Sequence, residues 1–269
     1  MIRCAVTVSL VPEVRGGPFV FWDDLANACR EARALGFDAI EVFPPSAEAI
    51  DTALLRQLLE DHGLALAAVG TGAGWVRQRL SLTAADASTR VKARNFIRQI
   101  VDLSGSFGAP AIVGSMQGRH GEGVSADQAR GWLREAFTDL GTHARRYDVP
   151  LLYEPLNRYE TNLCNTMAQG LDLIRECGNV QLLADLFHMN IEESNSSLAL
   201  REVDARLGHV HFVDSNRRAA GFGQIDYRPI AQALEAIGYN GFLSAEALAL
   251  PDSSGAARRT IQTFHSYFR

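Results

Sequence analysis

The stretch Pro150–Asn162, PLLYEPLNRYETN, joins a short apolar run to a carboxylate and then to a polar loop. The run Pro150–Tyr153 has the length and composition of a buried strand, and Glu154 follows it directly. Three later stretches repeat this arrangement: QLLADLFH (Gln181–His188), HVHFVDSNRR (His209–Arg218) and FLSAE (Phe242–Glu246). A buried strand that carries a metal-binding side chain, or is followed directly by one, therefore recurs through the second half of the chain.

Outward from these stretches, apolar runs typical of strands alternate with longer amphipathic segments typical of helices. Strands are predicted at Arg3–Ser9, Asp38–Val42, Ala65–Val69, Ala111–Gly114, Pro150–Tyr153, Gln181–Ala184, His209–Val213 and Phe242–Ala245. Helices are predicted near Trp22–Leu35, Asp51–His62, Asp86–Phe107, Ala126–Tyr147, Ala168–Glu176, Leu198–Arg206, Tyr227–Ile237 and Ser254–Tyr267. This α/β pattern predicts one (β/α)8 TIM barrel, a single domain over residues 1–269. A doubly wound open sheet is the alternative, but Ser9–Pro12 lacks the glycine-rich fingerprint typical of that fold.

The composition favours a small-molecule partner. Apolar residues make up 47% of the chain and charged residues 21%, as in ordinary globular proteins. The net charge of −5 argues against binding to nucleic acid or to an anionic membrane, both of which select basic surfaces. Apolar runs stay well below the roughly 20 residues that a membrane helix needs. We therefore expect a cytoplasmic protein.

Four strand-end side chains form a candidate metal site. In a TIM barrel the active site lies at the carboxyl ends of the strands. Predicted strands five to eight deliver, in this order, Glu154, Asp185, His211 and Glu246. Three carboxylates and one imidazole suit Mn²⁺, Mg²⁺ or Co²⁺ better than a thiolate-preferring ion. With the histidine neutral, such a site keeps one net negative charge around a divalent ion.

Polar residues just beyond these strand ends form a second group of candidates. They are Asn157, Arg158, Glu160, His188 and Arg217. Loop residues in these positions often reach a bound ligand. His209 shares the direction of His211, because alternate residues of a strand point to the same side. We expect His209 to lie behind the metal site rather than on the metal.

The strings EPLNRYET, DLFHMN, HVHFVDSNRR with the following GFGQIDY, and GFLSAE resemble the ketose 3-epimerases, within the xylose isomerase-like TIM barrels. The resemblance implies metal binding at Glu154, Asp185, His211 and Glu246, with Mn²⁺ as the expected ion. It implies that Glu154 and Glu246 are also the catalytic acid and base. It implies substrate contacts near the carbonyl from Glu160, His188 and Arg217, and assembly into a dimer or tetramer.

The predicted function is 3-epimerisation of a ketose or ketose phosphate through a metal-bound cis-enediolate. A glutamate can remove a proton next to a ketone only if the developing enediolate charge is stabilised. A 1,2-aldose–ketose isomerase of the hydroxypyruvate isomerase kind is the alternative, and an inosose dehydratase or a non-catalytic sugar-binding protein are further ones. His211 and the SNRR string favour the epimerases, whereas Gln224 stands where that family often has histidine.

The first half of the chain contributes two candidate loops for the far end of the sugar. They are Gly70–Trp75 (GTGAGW) and Ser115–Gly123 (SMQGRHGEG). Trp75 can form a wall of a sugar pocket. Arg119 and His120, which lie among glycines, can hold a phosphate together with backbone N–H groups. Both a free sugar and a sugar phosphate are therefore compatible with the sequence.

Overall fold

The computed structural model describes residues 1–269 and has nine strands, all paired in parallel. They are β1 (Arg3–Ser9), β2 (Phe21–Trp22), β3 (Ala39–Phe43), β4 (Ala65–Gly70), β5 (Ala111–Val113), β6 (Leu151–Tyr153), β7 (Val180–Asp185), β8 (Leu207–His211) and β9 (Phe242–Ala245). The strand order is β2-β1-β3-β4-β5-β6-β7-β8-β9, and β1 also pairs with β9. Apart from the short β2, the sheet therefore closes into an eight-stranded barrel. The predicted TIM-barrel fold is confirmed.

Ten α-helices surround the barrel or connect its strands. They are α1 (Leu25–Leu35), α2 (Thr52–His62), α3 (Ala73–Gln78), α4 (Ala87–Gly105), α5 (Ala126–Ala144), α6 (Met167–Ile174), α7 (Leu186–Glu192), α8 (Ser196–Val203), α9 (Tyr227–Ala236) and α10 (Ser253–Phe268). Asp, Asn, Ser or Thr side chains cap most of their N-termini, as at Asp24 and Ser125. In none of them is the run of apolar residues sufficient to cross a bilayer.

Two of these helices lie where the sequence predicted loops. Helix α3 occupies the end of the GTGAGW stretch, and α7 contains His188. Both predictions of loop structure are wrong. The helices have six and seven residues, which is too short for a helical period to stand out in the sequence.

The start of one helix and the end of one strand also differ from the predictions. The helix predicted from Trp22 begins at Leu25, because Trp22 pairs in β2 and the Asp24 side chain accepts the N–H of Asn27. The strand predicted at His209–Val213 is β8, which ends at His211. Val213 instead forms an isolated antiparallel bridge with Ala219, so the chain turns into a loop directly after His211.

The alternation of side chains along the strands divides the core into two parts. Tyr153 of β6 points outward, where it packs against Phe137 of α5 with ring centroids 4.8 Å apart. Leu152 points into the barrel and shares its direction with Glu154. The inward residues Ala68, Ile112, Leu152 and Leu183 form a separate buried cluster. This cluster is the apolar floor beneath the strand-end residues.

Phe264 of α10 tests how strongly the last helix stabilises the closed barrel. Its fully buried ring stacks on Phe268 at 5.4 Å and meets the edge of Phe212, which follows β8. Truncation of a buried Phe to Ala leaves a cavity, so Phe264→Ala should lower the free energy of unfolding by about 3–5 kcal/mol. Urea denaturation measures the loss. Gln262→Ala, at an exposed position of α10, should change stability by less than about 0.5 kcal/mol, and equal losses in both variants would contradict this account.

Candidate active site

Four side chains from β6 to β9 converge at the carboxyl end of the barrel. One ligand atom from each lies within 4.8 Å of the others, and the four residues are Glu154, Asp185, His211 and Glu246. At their centre, His211 Nδ1 lies 3.2 Å from Asp185 Oδ2, 3.3 Å from Glu154 Oε1 and 3.6 Å from Glu246 Oε2. All four are buried or nearly so. The structure therefore brings together the residues that the sequence nominated as metal ligands.

The donor set fits a divalent cation. Glu154 Oε1 is buried and forms no hydrogen bond, although it faces the rings of His188 and His211. Burial raises the pKa of Glu246 to about 8. Burial alone would lower the pKa of His211, but Glu246 and Glu41 raise it well above its ordinary value. The raised pKa values of Glu246 and His211 mean that this cluster holds protons to offset its negative charge. A bound cation would offset that charge in place of the protons.

Asp185 has both a structural and a site-facing oxygen. Its Oδ1 accepts the backbone N–H groups of Phe187 at 2.7 Å and His188 at 3.1 Å, which caps α7. Its Oδ2 points to His211. The cap fixes the orientation of the carboxylate, and the same turn of helix carries His188 to the site.

Glu41 is a site residue that the sequence prediction missed. It is 4% exposed in β3, across the barrel from β8. Its Oε1 lies 3.2 Å from His211 Nε2 and its Oε2 lies 2.8 Å from His209 Nε2. Burial by itself would raise the pKa of Glu41, but the two histidines lower it well below its ordinary value. A charged residue inside the apolar strand AIEVF was the available signal.

The Glu41 contact determines which nitrogen of His211 faces the cluster. With Glu41 ionised, His211 Nε2 carries the hydrogen and donates it, which leaves Nδ1 as the free acceptor. Histidine ligands of metals commonly have such a carboxylate behind them. His209 completes the arrangement behind His211, where the sequence placed it.

A second ring of side chains lies above the cluster. His188 Nδ1 accepts the backbone N–H of Asn157 at 3.3 Å, so in the neutral ring Nε2 carries the hydrogen. That Nε2 is buried without a partner, 3.9 Å from Glu154 Oε1. Arg217 donates to Glu160 at 2.9 Å and lies 3.6 Å from Glu246. These donors face the same space as the carboxylates.

Arg217 is held in place by its backbone and by an aromatic ring. It adopts a positive φ of 60°, a conformation that non-glycine residues keep only where their surroundings impose it. Its N–H donates to Asp214 O at 2.9 Å, its carbonyl accepts the N–H of Leu248 at 2.8 Å, and its guanidinium lies 4.9 Å from the Phe187 ring centroid. By contrast, Arg158 is exposed and pairs with Glu192, away from the cluster.

A cavity of about 470 Å³, hereafter the catalytic cavity, lies above the carboxylate cluster. Its lining includes Glu154, Glu160, His188, His211, Arg217 and Glu246. On the opposite side, loop residues 14–19 and the Gly70–Gly72 stretch close it. The volume is typical of a small-molecule site. A ligand in it contacts both the carboxylate cluster and the donors.

Comparisons with known proteins identify the family of the chain. Residues 29–266 match the xylose isomerase-like TIM barrel family. L-ribulose 3-epimerase of Mesorhizobium japonicum is 33% identical over 229 residues, which are 83% of this chain and 75% of that protein. D-psicose 3-epimerase of Agrobacterium fabrum is 31% identical over 79% of this chain and 75% of that protein. The structure of D-allulose 3-epimerase from Methylomonas sp. in complex with D-allulose superposes with a TM-score of 0.83, at 24% identity, over 100% of this chain and 98% of that one.

Glu41→Gln tests the role of the carboxylate behind His211. A glutamine can accept from only one of the two histidines and directs an N–H₂ group at the other, so His211 should lose its fixed orientation. Loss of such a contact typically lowers metal affinity by about 10–100-fold. Titration calorimetry with Mn²⁺ measures the dissociation constant, with the exposed Glu48→Gln as control. An unchanged affinity in Glu41→Gln would show that the contact does not support the cluster.

Proposed function

The chain belongs to the xylose isomerase-like TIM barrels and, within them, to the ketose 3-epimerases, and from this premise we propose that it inverts carbon 3 of a ketose with Glu154 and Glu246 as acid and base. The observation that carries the proposal is the pair of buried glutamates at the ends of β6 and β9, which face one cavity between them. Two carboxylates on different strands can reach opposite sides of one ligand. Mere binding of a sugar would not require both.

The proton to be moved lies on carbon next to a ketone and is far less acidic than a carboxylic acid. Its removal by a glutamate requires stabilisation of the enediolate that forms. A divalent cation bound by Glu154, Asp185, His211 and Glu246, for which we propose Mn²⁺, would supply Lewis-acid stabilisation of this charge. The remaining stabilisation comes from side-chain donors of the chain itself.

His188 and Arg217 are the donors that we assign to the substrate oxygens near the carbonyl. His188 Nε2 carries a hydrogen and has no partner in the protein, so it can donate to an oxygen in the catalytic cavity. The Arg217 Nε is likewise buried without a partner. Glu160, which is bound to Arg217, can accept a substrate hydroxyl. Together they orient the sugar between the two glutamates.

Glu154 and Glu246 act as base and acid on opposite sides of the substrate. One carboxylate removes the proton from carbon 3, and the other, already protonated, returns a proton to the opposite side. The sugar, the metal, the assembly into a dimer or tetramer and the cytoplasmic location stay predictions.

Solvent deuterium distinguishes this reaction from its alternatives. The Mn²⁺-loaded protein in D₂O, with D-fructose, D-tagatose or L-ribulose, should give the 3-epimer with deuterium at C3, because the returning proton exchanges with solvent. NMR locates the label. Protein treated with a chelator should show no exchange until Mn²⁺ is restored. Deuterium at C1 or C2 with an aldose product would instead establish the 1,2-isomerase, and binding without exchange would establish a sugar-binding protein.

The acid–base assignment has its own variants. Glu154→Gln and Glu246→Gln should each stop both turnover and deuterium exchange, because each keeps the shape of the side chain but cannot accept the proton. Either change can also weaken metal binding, so the metal content is measured by elemental analysis at saturating Mn²⁺. A fully metal-loaded variant with wild-type turnover would remove that glutamate from the mechanism.

Arg217→Ala tests the proposed substrate donor. Removal of one buried donor to an oxyanion typically costs on the order of 10²–10³ in turnover. We expect kcat to fall by that factor while the metal content stays unchanged, measured by steady-state kinetics and elemental analysis. The matched control is Arg218→Ala, whose guanidinium lies 4.9 Å from the Phe222 ring centroid and which lines no part of the catalytic cavity. Equal kinetics for the two variants would place Arg217 outside the mechanism.

A further inference from the structure

A second cavity of about 700 Å³ adjoins the catalytic cavity. We call it the outer cavity, and its lining includes Trp75, Arg79, Thr83, Arg119, His120 and Glu122. The two cavities share Ser115, Leu156 and Glu160 as common wall residues. The catalytic cavity alone is large enough for a small ligand, and the two together exceed the range of about 300–1,000 Å³ typical of such sites. The combined space therefore suits a substrate larger than a free monosaccharide.

The loop that carries Arg119 and His120 has a fixed backbone. Thr83 Oγ1 lies 2.9 Å from Gln117 O and 3.1 Å from Arg119 O, and its one hydrogen is shared between the two carbonyls. Thr161 Oγ1 donates to Gly118 O at 2.8 Å. Asn162 accepts the N–H of His120 at 3.0 Å and donates to its carbonyl at 3.1 Å. Because the backbone groups are satisfied from neighbouring segments, the two side chains are presented to the outer cavity from a fixed support.

The basic side chains of the outer cavity have few partners in the protein. The Arg119 guanidinium makes one hydrogen bond, of 3.3 Å, to Tyr159 O, and the His120 ring makes none. The Arg79 guanidinium forms no hydrogen bond and lies 5.1 Å from the Trp75 ring centroid. These groups therefore offer unused donors and positive charge at one end of the combined space.

Most of the acidic groups in the same lining are already engaged. Asp86 accepts hydrogen bonds from Ser88 and Thr89 at the start of α4. Glu160 binds Arg217. Only Glu122, which is exposed, remains without such a partner. Asp86 keeps its negative charge, but this charge is turned to the donors at the start of α4. The guanidinium groups of Arg79 and Arg119 and the His120 ring therefore offer free N–H donors, which suit a ligand with several acceptor oxygens.

We propose that the outer cavity binds a phosphate ester carried by the keto sugar whose reacting carbons occupy the catalytic cavity. This inference rests on the proposed function, because it uses the placement of Glu160 and Arg217 at the carbonyl end of the sugar. Since Glu160 is part of the wall between the cavities, the ester extends from that end of the substrate. The substrate class is therefore a ketose 1-phosphate rather than a 6-phosphate. In this proposal the loop of Arg119 and His120 serves the carbonyl end of the sugar, not the far end that the sequence predicted.

The test compares three ligands on the Mn²⁺-loaded protein: D-fructose, D-fructose 1-phosphate and D-fructose 6-phosphate. Titration calorimetry should give a dissociation constant for the 1-phosphate at least about tenfold below that for D-fructose, as charge-assisted hydrogen bonds to the ester predict. The double variant Arg119→Ala/His120→Ala should lose this advantage and keep the affinity of the wild type for D-fructose. Retained D-fructose binding also shows that the variant is folded.

Lys92→Ala is the matched control, because it removes an exposed positive charge from α4 outside both cavities and should leave all three affinities unchanged. Equal affinity of the wild type for D-fructose and its 1-phosphate would overturn the proposal, as would an undiminished advantage in the double variant. An advantage confined to the 6-phosphate would overturn the placement at the carbonyl end.

Deuterium exchange distinguishes a failure of the proposed phosphate site from a failure of the proposed epimerase reaction. Exchange at C3 of free ketoses without any preference for the ester would reject the phosphate site and leave the epimerase standing. Ester binding that depends on Arg119 and His120, without exchange in any ligand, would leave the site standing and reject the reaction.

Discussion

Mutual repulsion of three buried carboxylates around one imidazole nitrogen governs the carboxyl end of this barrel. Their ligand atoms lie within 4.8 Å of one another, where two unit charges repel by about 3–4 kcal/mol even at an effective dielectric constant of about 20. A folded domain is stable by only about 5–15 kcal/mol, so several such repulsions would remove most of that stability. The cluster therefore needs a positive charge at its centre. Protons on His211 and Glu246 meet that need in part. A divalent cation meets more of it and leaves one net negative charge.

The groups cannot relieve the repulsion by moving apart, because separate parts of the barrel hold them. The carbonyl of Glu154 accepts a hydrogen bond from Gln117 at 3.0 Å, and Gln117 in turn accepts the hydroxyl of Tyr153 at 2.8 Å. Asp185 is fixed by its cap on α7 and His211 by Glu41. The folding free energy of the barrel thus holds charges together that would separate in solution. This is how a protein prepares a binding site before the ligand arrives.

The sequence predicted the parts of the site that local patterns determine. Buried runs followed by Glu154, Asp185 or Glu246 reveal a strand and its end together, and the barrel then places those ends at one edge. Glu41 was missed because its partners lie 168 and 170 residues further along the chain, and only the register of the closed barrel brings them together. The loop predicted around His188 was a helix because Asp185 caps it. The helix has only seven residues, too few for a helical repeat of apolar residues to be visible in the sequence.

Barrel construction also separates the chemistry from the selection of the substrate. Residues at the ends of β6–β9 are fixed by strand pairing on both sides, whereas Arg119 and His120 lie on a loop that closure of the barrel does not constrain. Substitutions of Arg119 and His120 can change the ligand without displacing Glu154. Arg217 is the exception, since it binds Glu160 in the shared wall and also lies 3.6 Å from Glu246. A ligand in the outer cavity that shifts Glu160 would therefore act on Glu246 through the single side chain of Arg217.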